Sequence, residues 1–177
     1  MSLATDIRQA QAADIAAIAH VHLASSKIAY RDILDPALLE GLSLDGRIAL
    51  WERRFAQIGS QGRLWIQCVD AEIIGFALCD LPDDREAAPS VCELKSFYVT
   101  PDFWGAGLGA TLLAYAMADF KNRGFDAMIL WTICDNRRAR AFYARAGFRC
   151  EELIRRTSRS EAGRVLEYEE ILYSRAL

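Results

Sequence analysis

The spacing of apolar residues changes period several times along the chain, and each change marks an element. "DIRQA" alternates like a short strand, and Asp14 then precedes a run with Ile15, Ile18, Ala19 and His22 on one helical stripe. Residues 35 to 58 keep helical spacing except at "LSLDG", which predicts one or two further helices. The period then shortens. "LWIQCV" (Leu64 to Val69) and "EIIGFALCDL" (Glu72 to Leu81) read as strands joined by Asp70 and Ala71 in a tight hairpin, and the polar "PDDREAAPS" follows as a loop.

The next strand, "VCELKSFYV" (Val91 to Val99), contains a fault. Cys92 and Leu94 are apolar on one phase, Phe97 and Val99 on the other, so the phase slips by one residue around Lys95 and Ser96. A β-bulge does this by inserting one extra residue and bending the strand. A central strand buried on both faces is the other reading, since phase then carries no information. Beyond it, Leu108, Leu112, Leu113, Ala116, Met117 and Phe120 define a helix that Gly124 ends. "AMILWTI" reads as a central strand, and "RRARAFYARAGF" as a short helix with Ala139, Phe142, Tyr143 and Ala146 on one stripe. "RCEELIRRTSR" and "RVLEYEEILYSR" flank "SEAG" as a final antiparallel hairpin. This order implies an α/β fold: a mixed sheet with helices on both faces.

Composition narrows the possibilities. The 177 residues suit one domain, taken as residues 1–177, and 53% apolar with 25% charged is a globular balance. A net charge of −3 argues against nucleic acid as a partner through a broad basic surface. The five cysteines, Cys68, Cys79, Cys92, Cys134 and Cys150, are odd in number and widely spaced. They read as small core residues of a reduced, cytoplasmic protein, Cys134 included. With only His20 and His22, no metal site is expected. Asp6, Arg8 and Asp14 interrupt the alanine-rich N-terminal stretch, so neither a signal peptide nor a membrane span is expected. His22, on an apolar stripe, reads as a core histidine rather than a base, and the acidic "DLPDDRE" as a solvated loop.

Candidate chemistry centres on "YVTPDFWGAGLGATLLAYAMADF", where three closely spaced glycines precede a helix. The first turn of a helix has unpaired N–H groups and a partial positive charge, so Gly105, Gly107 and Gly109 read as a phosphate cradle. A Walker A loop is excluded because no Lys-Ser/Thr pair follows. The Rossmann pattern fits in letter as Gly105, Gly107 and Ala110, but Thr100 to Trp104 separate it from its strand, the preceding strands read as a meander, and Asp126 comes early for a ribose-binding acid.

Together, "YVTPDFWGAGLGATLL" and "LWTICDNRRARAFYARAGF" resemble the GNAT superfamily of acetyl-CoA-dependent N-acetyltransferases. The family's loop signature, Arg or Gln, two residues, Gly, one residue, Gly or Ala, falls on Trp104, Gly107 and Gly109, and Trp104 departs from it. The second signature falls on Asn136, Tyr143, Gly147 and Phe148. The resemblance implies a mixed, mostly antiparallel sheet of about seven strands that splays after a bulged strand. It implies acetyl-CoA as co-substrate, its pantetheine arm pairing with the backbone of Phe97, Tyr98 and Val99. The pyrophosphate would lie on Trp104, Gly105, Ala106, Gly107, Leu108, Gly109 and Ala110, with Asn136 near the arm.

The implied reaction is acetyl transfer to a primary amine of a small molecule or peptide, by direct attack in a ternary complex. Tyr143 matches the tyrosine that protonates the departing thiolate, or it only packs. Asn136 bonds the arm or caps its helix. Glu93 is the candidate general base, or a salt-bridged strand residue, and a water chain could serve instead. Tyr30 is a candidate acceptor contact. A homodimer is an allowed assembly for such proteins. The rival functions are a non-catalytic acyl-CoA-binding sensor on the same fold and a dinucleotide-binding oxidoreductase.

Overall fold

The protein is described here by a computed structural model covering residues 5–83, 87–161 and 163–177, so residues 84–86 of the polar loop and residue 162 of the last turn lie outside it. The strands are β1 (Thr5–Gln9), β2 (Arg63–Val69), β3 (Glu72–Asp80), β4 (Val91–Val99), β5 (Ala127–Ile133), β6 (Arg149–Glu161) and β7 (Arg164–Ala176). The helices are α1 (Ile15–Ala29), α2 (Pro36–Glu40), α3 (Leu44–Ala56), α4 (Leu108–Asn122) and α5 (Arg137–Arg145). One seven-stranded sheet has the order β1-β2-β3-β4-β5-β7-β6, and among these neighbours only β4 and β5 run parallel.

Local chemistry sets the boundaries. The break at "LSLDG" is the start of α3, where Ser43 caps the helix by accepting from Gly46 N–H at 3.1 Å, while α2 starts earlier, where Asp35 accepts from Ala37 N–H at 2.7 Å. Between β2 and β3 the chain reverses at Asp70 (φ 47°) and Ala71 (φ 70°), both left-handed as a type I′ hairpin requires. Helices cover both faces. On one, Leu112, Leu113, Ala116 and Phe120 of α4 pack with Cys92, Leu94, Met128 and Leu130 of β4 and β5. On the other, Ile18 of α1 and Trp51 of α3 pack with Ile66 and Phe76 of β2 and β3. Each such side chain contributes about 1.5–3 kcal/mol by leaving water.

The fault in β4 is a bulge. Leu78 of β3 faces Ser96 and Cys79 faces Leu94, which leaves Lys95 as the additional residue. The insertion keeps Cys92, Leu94 and Phe97 against the same α4-side core despite the change of phase. β4 pairs with β5 only at Val91, Cys92 and Glu93, opposite Ala127, Met128 and Ile129. Past Glu93 the two strands part, while β5 stays paired with β7 up to Ile133. The sheet therefore forks beside its bulge.

Ala71 is the less suitable of the two turn residues, because its Cβ disfavours a positive φ. Ala71→Gly should stabilise the fold by about 0.5–1 kcal/mol, read as a higher urea midpoint at unchanged slope.

Candidate functional site

The fork opens into a cleft of about 820 Å³. Its β4 edge presents backbone groups to the gap. Thr100 N–H donates to Ile74 C=O at 2.8 Å, so alternation along the antiparallel pair directs the N–H and C=O of Tyr98 toward β3 and those of Phe97 and Val99 toward the fork. The Val99 carbonyl is already committed: it accepts from Ser25 Oγ at 2.9 Å and from Trp104 Nε1 at 2.6 Å. The edge thus offers both groups of Phe97 and the N–H of Val99.

The glycine loop lies at one end of the cleft, and Gly105, Gly107, Gly109 and Ala110 line it, whereas Ala106 and Leu108 do not. Gly105 (φ 83°) and Gly107 (φ 82°) are left-handed, which is why glycine is needed there. Gly107 is the N-cap of α4 and gives it no side-chain cap. The first amides of that helix therefore have no intrahelical acceptor. A Cβ at Gly105 or Gly107 would meet nothing within 4 Å, so the space over these backbones is open to a ligand. Open amides at a helix N-terminus suit a phosphate group.

Tyr143 lines the cleft between the fork and the α4-side core. Its ring meets Phe97, Phe142, Phe148 and Tyr173 at centroid distances of 5.3–6.5 Å, and its hydroxyl makes no hydrogen bond among the described residues. Burial pushes the phenol well above its usual range, so it stays protonated, a donor rather than a base. Asn136 caps α5, its Oδ1 accepting from Ala139 N–H at 3.0 Å, and it also lines the cleft.

Across the sheet, α1 extends its stripe into the cleft with His22, Ser25, Ser26 and Ala29. His22 is buried, and its Nδ1 accepts from Trp51 Nε1 at 3.0 Å. Neutral His22 must then carry its proton on Nε2. The buried Ser26 Oγ has no hydrogen-bond partner among the described residues. The Tyr30 and Tyr98 hydroxyls lie 3.0 Å apart, and burial raises the Tyr30 pKa.

Glu93 occupies a different place. It sits at the last paired position of β4 and β5, the closed end of the fork, and does not line the cleft. Burial pushes its carboxyl above the usual carboxylate range, against the opposing pull of Lys95. The carboxylate that does line the cleft is Glu170 of β7. Its Oε2 accepts from Arg155 Nε and from Thr157 Oγ1, both at 2.8 Å. Sequence reading did not find it, although Leu166, Tyr168 and Glu170 alternate along β7 and all three line the cleft. Ser25, Ser26 and Arg138 were missed as well.

The bulged β4, its fork from β5 and the uncapped, glycine-led α4 thus meet at one cleft. The chain belongs to the acetyltransferase (GNAT) family, whose family model matches residues 29–148. It is 30% identical to "Probable N-acetyltransferase Rv2775" of Mycobacterium tuberculosis over 145 residues, 80% of this chain and 78% of that protein. It is also 30% identical to the uncharacterized N-acetyltransferase MJ1207 of Methanocaldococcus jannaschii over 112 residues, 60% of this chain and 48% of that relative. The chain spans about half the length of the curated relatives it first matches. Among solved structures, the PaiA N-acetyltransferase of Thermoplasma acidophilum in complex with coenzyme A has a TM-score of 0.74 at 18% identity, covering 98% of this chain and 99% of that one. The ribosomal-protein-S18-alanine N-acetyltransferase of Escherichia coli has a TM-score of 0.69 at 20% identity, covering 98% and 94%. These neighbours share the fold: a mixed seven-stranded sheet with helices.

Because its folded-state pKa is raised, Glu93 favours the fold while protonated, and that advantage is lost as pH rises through the folded value. Glu93→Gln should therefore raise the thermal midpoint at pH 7 and leave it unchanged near pH 4, the range where the unfolded carboxyl is already largely protonated. An equal shift at both pH values would show that the buried carboxyl is not the cause.

Proposed function

We propose that residues 1–177 act as a single N-acetyltransferase domain that moves an acetyl group from acetyl-CoA to a primary amine of a small molecule or peptide. One observation carries this reading: the forked β4 edge and the uncapped α4 N-terminus share one cleft, with the Tyr143 phenol between them. When bound, acetyl-CoA supplies a thioester carbonyl for the amine to attack, with the thiol as leaving group.

The chain's own groups then have distinct tasks. Phe97 N–H and C=O and Val99 N–H pair with the amides of the pantetheine arm as an added strand would. Tyr98 fixes that edge from behind by its pairing with β3. The loop from Trp104 through Gly105, Ala106, Gly107, Leu108 and Gly109 to Ala110 directs its backbone amides at the pyrophosphate. Asn136 holds the start of α5 and so the position of Tyr143 about two turns along the same helix. Tyr143 gives its hydroxyl proton to the departing sulfur, and burial keeps that proton in place until then.

On the opposite wall Tyr30, Ser26 and Glu170 receive the acceptor amine, with the Glu170 carboxylate facing its positive charge. Glu93 takes the amine's proton through water from the closed end of the fork, since it does not itself reach the cleft wall.

Calorimetric titration with acetyl-CoA, with NADH as control, tests the binding half. Binding of acetyl-CoA alone agrees with the proposal, and binding of NADH alone overturns it. Tyr143→Phe should lower kcat about ten- to a hundredfold against an amine panel, because a thiol leaving group needs only modest acid assistance. Acetyl-CoA affinity should stay within about twofold. Unchanged kcat would remove Tyr143 from the chemistry. Tight acetyl-CoA binding without turnover on any amine would favour a sensor.

A further inference from the structure

Trp104 occupies the position where the loop signature has Arg or Gln, and its indole is firmly placed. Nε1 donates to the Val99 carbonyl at 2.6 Å, and the ring packs against the cluster of Val69, Ile74 and Val99. Directly on that ring lies the Arg138 guanidinium, with Cζ 3.4 Å from the ring centroid. Trp104 adjoins Gly105, so the stack stands at the edge of the glycine loop, and both of its members line the cleft.

We propose that Trp104 and Arg138 form one phosphate-binding unit: the pinned indole is a platform that presents the Arg138 guanidinium to a phosphate of the coenzyme. This rests on the reading of the glycine loop as the coenzyme's phosphate cradle. The chain carries the cation one residue into α5 rather than in the loop itself, on an aromatic face that the loop supplies.

Three observations support it. Arg138 has no ion pair or hydrogen bond with another described residue, while its face is held flat on the indole. An arginine fork held this way keeps its in-plane N–H groups for a planar or phosphate anion. Arg138 also sits in the first turn of α5, where the helix macrodipole is positive and the turn itself holds no acidic residue. Helix stability alone would disfavour a cation there. Finally, Arg145 lines the same cleft, and burial together with the charge of Arg145 pushes the Arg138 pKa down. Arg138 and Arg145 thus repel one another along one wall of the cleft, and an arriving anion would relieve that repulsion.

The test uses the full chain and calorimetry with two probes, coenzyme A and 3′-dephospho-coenzyme A, at low and moderate salt. Arg138→Gln should weaken coenzyme A binding about ten- to a hundredfold, the loss typical of a charged hydrogen bond, and reduce the dependence of affinity on salt. Arg138→Lys keeps the charge but not the flat stack, and should fall between the two. Equal losses on both probes place the contact at the pyrophosphate; a loss confined to coenzyme A places it at the 3′-phosphate. Both outcomes support the unit. Arg138→Gln within twofold of wild type on both probes, with an unchanged salt dependence, overturns it while leaving the cradle standing. A wild-type protein that binds neither probe overturns the cradle and the unit together.

Discussion

A backbone amide or carbonyl buried without a partner costs about as much as a lost hydrogen bond, and a strand that leaves its neighbour creates several at once. β4 does this just past Glu93, where pairing with β5 stops. The chain meets the cost in three ways. Lys95 is inserted as a bulge, so β3 keeps its ladder while β4 turns away. The Val99 carbonyl is taken up by two side chains, Ser25 and Trp104. The remaining groups of Phe97 and Val99 face a cleft wide enough for a ligand to complete them. The fork, the loop beneath it and the helices that wall it all depend on this one unfinished ladder.

The two ends of the cleft have different electrostatic characters. At the loop end lie uncapped helix amides, with Arg138 and Arg145 on the adjoining helix. Along the wall formed by α1 and β7, hydroxyls alternate with apolar surface, and Glu170 is held by Arg155 and Thr157. Tyr143 lies on the opposite face, buried among aromatic rings that fix its direction. Cations line both parts of the cleft, since Arg47, Arg54 and Lys95 lie on its other walls, and under the proposed function the Glu170 carboxylate is what sets the acceptor part apart.

Much of the fold could be read from residue patterns, because periodicity reports burial. The slip of phase at Lys95 located the bulge, the break at "LSLDG" located the division between α2 and α3, and the stripe from Leu112 to Phe120 located the buried face of α4. The glycine loop was equally legible, since left-handed backbone narrows the choice of residue. The acceptor wall was not. Glu170 looks like any polar residue of an edge hairpin until the sheet order brings β7 beside β5. Glu93 looked like a cleft residue because it precedes the bulge, yet it falls on the paired side of the fork. That difference is a matter of one or two positions in register, which sequence spacing does not encode. Arg138 went unnoticed for a similar reason: its partner Trp104 lies 34 residues earlier, and only the packing of α5 on the fork brings them together.

The Val99 carbonyl has a consequence beyond closing a ladder. One oxygen fastens α1 through Ser25 and the start of the glycine loop through Trp104. The α1 wall of the cleft and the start of its glycine-loop floor thus share one anchor of atomic size. The indole that shares this oxygen with α1 also carries the Arg138 guanidinium on its face. A single acceptor atom thereby joins three segments, α1, β4 and the glycine loop, at the mouth of the fork.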